Sequence, residues 1–190
     1  DDRFEIRSSP EAAFLKNGEA CEFEIFIKPL CSCKIKECIM VVGHDLQKNI
    51  NWSEPISIET ETVLTTQLDY HELEEDEKLG EGSFGVVFLG KFRGNKVAIK
   101  KMKTIDDDPK QMKEFEKEVA MLDKFRSDYI IRFYGACFIP HKLCLVTEYA
   151  QYGSLKDMIK QPDKQPSEQI KMKILLDAAK GIQYLHENGI

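Results

Sequence analysis

No apolar run in this chain approaches the ~18 residues that a membrane-spanning helix needs, and no secretory signal opens it. An excess of basic charge is missing as well. The 190 residues carry a net charge of −6 with 32% charged side chains, which argues against a nucleic-acid binder with its basic face. Internal repeats and low-complexity tracts are absent. The four histidines, His44, His71, His141 and His186, stand apart and show no ligand spacing. Zinc sites favour cysteine pairs two to four residues apart in turns, whereas Cys31-Ser32-Cys33 sets both thiols on one face of an extended strand. Cys21, Cys31, Cys33, Cys38, Cys137 and Cys144 are therefore expected to be buried or half-buried free thiols in a reduced, cytosolic setting. The chain starts at Asp1 rather than methionine and stops at Ile190 inside a helical pattern, so a piece of a longer protein is expected, whose attachment to a membrane stays open.

With 42% hydrophobic residues the chain can bury one sizeable core or two small ones. Residues 1–68 read as all-β. Phe4-Glu5-Ile6 alternates until Ser8-Ser9-Pro10 breaks it, and Cys21 to Ile27 alternates until Lys28-Pro29. Further strands are expected at Ile35–Val42 and Ile56–Val63. Short strands at this spacing suggest a β-sandwich. Ser9-Pro10, then Leu15-Lys16-Asn17-Gly18-Glu19, then Phe23-x-Ile25-x-Ile27-x-Pro29 resembles immunoglobulin-like modules of the major-sperm-protein type over about forty residues. The resemblance implies a protein-binding or spacer module and carries no catalytic residue. About four strands make only a partial sandwich, so more are expected before Asp1.

The acidic stretch Leu68–Glu77 marks a junction, and from there the pattern changes. Gly80-Glu81-Gly82-Ser83-Phe84-Gly85 has G-x-G-x-x-G spacing, which dinucleotide-binding folds also use at a strand-to-helix turn. Here Val86-Val87-Phe88-Leu89 continues as a strand, a turn follows at Gly94-Asn95, and Val97-Ala98-Ile99-Lys100 reads as another strand. No Gly-Lys-Ser/Thr follows, which excludes a Walker loop. The glycines thus belong to a β-hairpin whose backbone can approach phosphates because no Cβ intervenes. Next come a helix opened by Asp106-Asp107-Asp108-Pro109, strands at 129–138 and 143–149, a short helix capped at Ser154-Leu155-Lys156-Asp157, and a long helix from Ser167 to Glu187.

On a helical wheel Met112, Phe115, Val119, Met121, Leu122 and Phe125 cover one broad arc, and Glu118 falls near its middle. A carboxylate inside an apolar face needs a cation or costs several kcal/mol. Glu114, at the edge of the arc, is the alternative acidic residue.

The glycine hairpin, the lysine strand and the run Leu145-Val146-Thr147-Glu148-Tyr149-Ala150-Gln151-Tyr152-Gly153-Ser154-Leu155 resemble the nucleotide-binding lobe of a protein kinase, in order and spacing over residues 76–190. Phe133-Tyr134-Gly135-Ala136-Cys137 and Leu143–Tyr149 look most like the tyrosine-kinase-like group. The resemblance implies an α+β fold after the partial sandwich of 1–68. Residues 69–190 would form a small lobe of five antiparallel strands plus one regulatory helix, followed by the first large-lobe helices. It implies that Gly80, Gly82, Ser83, Phe84 and Gly85 form a lid over the phosphates of ATP, with Lys100 on the α- and β-phosphates and Glu118 paired to Lys100. Leu79, Val87 and Ala98 would hold the adenine ring, Thr147 would stand at the back of its pocket, and the Glu148 carbonyl and Ala150 amide would bond its edge.

Tyr184-Leu185-His186-Glu187-Asn188-Gly189-Ile190 matches the helix leading into His-Arg-Asp, which these residues do not reach. The catalytic aspartate and the magnesium ligands are expected beyond Ile190, so these 190 residues alone are expected to be inactive. The implied function is transfer of the γ-phosphoryl of ATP to a protein hydroxyl in signal transduction, with Mg²⁺. Two rivals are a pseudokinase and an interaction or scaffold protein that works through its sandwich.

Overall fold

Alternation in the first third of the chain produces hairpins. The computed structural model describes residues 2–83, 85–103, 109–160 and 165–190, and the chain divides into two units, residues 1–69 and 70–190. In the first unit β1 (Phe4–Ser9) pairs antiparallel with β2 (Glu24–Pro29), placing Ile6 opposite Ile27. The second pair joins β3 (Lys34–Asp45) to β4 (Ile50–Glu61). One face of this ribbon sets Ile39 against Ile56 and Gly43 against Trp52. The other begins with the pairs Lys34–Glu61 at 3.1 Å and Lys36–Glu59 at 3.8 Å and continues through Cys38, Met40 and Val42. At the turn between them the Asp45 carboxylate accepts from the Gln47 and Lys48 amides at 2.9 and 3.0 Å.

The two pairs are separate two-stranded sheets. What closes the unit is the segment after β4: the Ser32 amide donates to the Gln67 carbonyl at 2.8 Å, and the Cys33 amide to the Thr62 hydroxyl at 2.8 Å. Cys31, Ile35 and Leu68 are buried there, and Asp69, itself buried, pairs with Arg3 at 3.7 Å. β2 begins at Glu24 rather than Cys21. Cys21 and Cys38 are exposed, contrary to the expectation that every thiol is at least half-buried; none of the six cysteines forms a disulfide.

The second unit is built on a five-stranded antiparallel sheet, as the resemblance implied, with its strands in the spatial order 73–81, 85–92, 95–102, 144–148 and 133–137. A single 3₁₀ turn, Tyr70–Glu72, leads into β5 (Leu73–Glu81), followed by β6 (Gly85–Phe92) and β7 (Asn95–Met102). The β6–β7 turn sits at Arg93-Gly94, one residue earlier than expected. Both residues have positive φ, 47° and 81°, as a tight hairpin of primed type demands. Arg93 is held there by Glu72 at 2.8 Å and by the Phe92 ring beneath its guanidinium.

Helix α1 (Pro109–Leu122) starts on a proline whose missing N–H costs nothing at that position. The aspartates expected to open it, Asp106–Asp108, lie outside the described residues. Its residues Phe115 and Val119 are buried against Phe133, Ala136, Leu143 and Leu145 of the sheet side, with Met112 and Leu122 packed beside them. Burial of this kind stabilises by roughly 1.5–3 kcal/mol per large side chain. Met121, placed on the apolar arc by the wheel, is exposed.

Strand β8 covers Phe133–Cys137 rather than 129–138. Residues 127–130 instead form a turn, with the Ile130 amide donating to the Ser127 carbonyl and the Tyr129 amide to the Ser127 hydroxyl. Strand β9 covers Cys144–Glu148, short helix α2 Leu155–Ile159, and α3 Glu168–Glu187. Ser154 and Ser167 cap the two helices by accepting from the amides three residues on, the first as its capping pattern predicts.

Candidate functional site: the glycine hairpin, Lys100 and Glu118

Opposed residues of antiparallel strands point to one face, and the face alternates along each strand. The register sets Val87 opposite Lys100 and Lys100 opposite Leu145, while Ala98 stands opposite Thr147. Val87, Ala98, Lys100 and Thr147 therefore share one face, and Gly80 joins them through its pairing with Val87. Each of those four side chains is half-buried, in keeping with a surface open to a ligand. Leu79 is more exposed, at the β5 edge of the sheet.

The neighbour Lys101 points to the other face. There it pairs with Glu75 at 2.8 Å and lies over the rings of Phe88 and Tyr70. The Tyr70 hydroxyl donates to the same Glu75 carboxylate. Partial burial together with that bond raises the Tyr70 pKa. Burial alone would raise Glu75, but the Lys101 ammonium and the Tyr70 hydroxyl outweigh it and hold the carboxyl below its ordinary value. With Lys101 fixed behind the sheet, alternation commits Lys100 to the front.

Lys100 meets Glu118 of α1 at 3.7 Å. Glu114 lies one turn earlier and lines the same small cavity, about 210 Å³, together with Ser83, Met102, Lys103, Phe115 and Glu118. The structure thus brings together Lys100, Glu118 and the tip of the glycine hairpin. The hairpin closes on itself, the Gly82 amide donating to the Gly85 carbonyl at 2.9 Å. Its three glycines differ. A Cβ on Gly80 or Gly82 would meet nothing within 4 Å, whereas one on Gly85 would lie 2.1 Å from the Lys101 carbonyl oxygen. Gly80 and Gly82 leave open backbone for a ligand, and Gly85 is required by strand-to-strand packing. Phe84 lies outside the described residues.

At the end of β9 the Thr147 hydroxyl donates to the Glu148 carbonyl at 3.4 Å, and the Glu148 amide donates to the Arg132 carbonyl at 2.8 Å. Ala150 opens a turn in which its carbonyl accepts from the Gly153 amide. A larger hollow of about 630 Å³ lies among Phe125, Arg126, Arg132, Tyr134 and Glu148. It carries neither Ser83 of the hairpin nor Glu118, the partner of Lys100, both of which line the smaller cavity.

The sequence did not single out Glu81, Lys78 and Lys103. Glu81 binds Lys78 at 2.6 Å and also pairs with Lys103. These two ammonium groups pull its carboxyl from 4.5 to about 2. Irregular register between Lys78 and Gly80 brings Lys78 and Glu81 to one side, a displacement that strict alternation does not foretell. Among the described residues no group of three His, Cys, Asp or Glu side chains is placed to hold a metal ion, and no helix is long and apolar enough to cross a membrane.

A family model described as protein tyrosine and serine/threonine kinase matches residues 73–190. Among curated proteins, one of Dictyostelium discoideum, named as a probable serine/threonine-protein kinase, is 36% identical over 78% of this chain and 16% of its own length. A serine/threonine-protein kinase of Arabidopsis thaliana is 31% identical over 83% of this chain and 28% of its own. A second Arabidopsis protein, named as a probable serine/threonine-protein kinase, is 34% identical over 70% and 13% respectively. The chain therefore spans less than a third of the length of each of these relatives.

Proposed function

We propose that this chain, which belongs to the protein tyrosine and serine/threonine kinase family, is the ATP-holding part of an enzyme that transfers the γ-phosphoryl of ATP to a protein hydroxyl. The observation that carries this reading is the 3.7 Å pair of Lys100 and Glu118 beside the open backbone of Gly80 and Gly82. Phosphoryl transfer needs little covalent help from the protein; positioning and charge neutralisation do most of it. The open hairpin backbone covers the phosphates, and Lys100 places a positive charge on them. Glu118 holds Lys100 in that direction, and the Val87–Ala98 face takes the adenine ring while Thr147 bounds it. The relatives' names favour serine or threonine as the acceptor, and the strand sequences around Phe133 and Leu145 favour the tyrosine-kinase-like group.

Transfer itself requires a catalytic loop, and these 190 residues contain no His-Arg-Asp motif. Magnesium is proposed to accompany ATP in that enzyme, and among the described residues no group of three His, Cys, Asp or Glu side chains is placed to hold it. Residues 1–68 are proposed to be a separate β module that binds or spaces a protein partner. A cytoplasmic setting suits six cysteines that form no disulfide. Titration of the chain with ATP tests the reading: saturable binding that Lys100→Met weakens about tenfold or more is expected. Equal ATP affinity in the two proteins would overturn it.

A further inference from the structure

Lys103 stands just past the end of β7, where the Met102 amide donates to the Leu143 carbonyl at 3.0 Å and fixes the backbone. Its side chain reaches the underside of the glycine hairpin. The ammonium pairs with the Glu81 carboxylate and comes within 3.4 Å of the Gly82 carbonyl oxygen. It also lines the small cavity into which Ser83 and Glu118 face. Glu81 is meanwhile held by a second cation, Lys78, at 2.6 Å. Two ammonium groups thus share one carboxylate at the hairpin, while Glu114 and Glu118 line the cavity beyond and Lys100 pairs with Glu118. None of the three hairpin groups is locked in by burial: Lys103 and Glu81 side chains are 44% and 43% exposed, so the pairing is readily exchanged.

We infer that Lys103 is a second phosphate-binding cation, parked on Glu81 and released to the terminal phosphate of a nucleoside triphosphate when one enters beneath the hairpin. The inference rests on the ATP-holding reading above and extends it. Lys78 makes the exchange inexpensive, because Glu81 keeps one cation after Lys103 leaves. A triphosphate carries more charge than a single carboxylate and presents several acceptor oxygens, so it competes well for a flexible ammonium. A nucleoside without phosphates has no group to compete with Glu81. Lys103 and Glu81 should therefore act with opposite signs on triphosphate affinity and leave nucleoside affinity alone.

The test is equilibrium binding of ATP and adenosine to the whole 190-residue chain, at low salt and at ~0.5 M salt. Lys103→Met is expected to weaken ATP about tenfold at low salt, and Glu81→Gln to tighten it about threefold, with adenosine unchanged in both. The double variant should match Lys103→Met, since Glu81 matters only through the lysine it occupies. Lys103→Arg should retain most of the affinity, which separates loss of charge from loss of fold. If Lys103→Met weakens ATP and adenosine alike, Lys103 merely supports the hairpin and the inference falls. If ATP binds the unaltered chain and Lys100→Met weakens it while Lys103→Met does not, this inference alone falls. If the unaltered chain binds no ATP, the reading beneath it falls as well.

Discussion

The ammonium of Lys100 and the carboxylate of Glu118 meet at 3.7 Å across the gap between a central strand and the helix packed on it. Their side chains are 33% and 40% exposed, so the pair contributes about 0–1 kcal/mol to stability. Its value lies in direction, because Glu118, which holds Lys100, also lines the cavity beside Ser83 of the glycine hairpin. Lys100→Met in the full-length protein should therefore lower phosphoryl transfer by ~100-fold or more. The melting temperature of the chain should stay within a few degrees of the original. Retained transfer with an unchanged melting curve would show that the lysine does not act on phosphate.

The three glycines should separate in a mutational test. Gly82→Val adds side-chain atoms where a Cβ meets nothing within 4 Å, so the fold should hold while ATP affinity falls, measured by the ATP-dependent shift in melting. Gly85→Ala puts a Cβ 2.1 Å from the Lys101 carbonyl and should cost about 1–3 kcal/mol of stability with or without nucleotide. Equal stability of the two variants would contradict the division between open and packed glycines.

That division marks the limit of what the sequence made legible. Period-two alternation and a helical wheel gave the strands around the glycine hairpin and the mid-arc position of Glu118, while the pairing of Lys100 with Glu118 and the grouping of Val87, Ala98 and Thr147 came from the kinase resemblance. Gly85 could not be told from Gly82, because only the close approach of the Lys101 carbonyl distinguishes them. The Glu81 cluster was hidden by the irregular register of β5. Residues 129–132 looked like strand by composition, yet the Ser127 side chain and carbonyl captured the amides of Tyr129 and Ile130 into a turn.

Glu81 also gives a pH prediction. Its pKa in the fold is about 2, down from 4.5, because Lys103 and Lys78 favour the charged form. A depressed folded pKa means that the stabilising contribution is complete above about 4.5 and disappears as pH falls through about 2. Protection of the hairpin amides should consequently be flat from neutral pH down to about 5. A carboxyl titration followed by NMR should place Glu81 well below the ordinary value of 4.5, and Lys103→Met should move it upward. A midpoint near 4.5 in the unaltered chain would mean the cluster does not form in solution.

Cys137 and Cys144 face each other across β8 and β9, both fully buried. The hydrogen bond from its partner and burial push the Cys144 thiol far above its usual range, which leaves little thiolate to react. A thiol reagent at neutral pH should modify Cys21 and Cys38, which are exposed, and spare this pair until the sheet unfolds. Early labelling of Cys144 by mass spectrometry would contradict the burial.

Helix α3 is anchored towards one end, and hydrogen exchange should reveal it. Near its C-terminus the Tyr184 hydroxyl accepts from the Arg126 amide at 3.0 Å, its ring packs edge-on to Phe125, and the Lys180 ammonium bonds the Tyr129 hydroxyl at 3.1 Å. Gly181 is buried so close to the Tyr129 carbonyl that a Cβ would stand 2.9 Å away. In the N-terminal half Met172 is 66% exposed and Leu175 62% exposed, and Ile170 and Leu176 are exposed as well, among the described residues. At ~25 cal/mol per Å² of apolar area, that surface drives self-association in water. Exchange in the isolated 190-residue chain is expected to be fast at 168–176, slower at 180–185, and slowest in the strands around Lys100. Leu175→Glu should reduce association, read by light scattering, without shifting the melting of the sheet, because that side chain supports nothing beneath it. Strong protection of 168–176 in a monomeric sample would show that the exposed face is covered from within the chain.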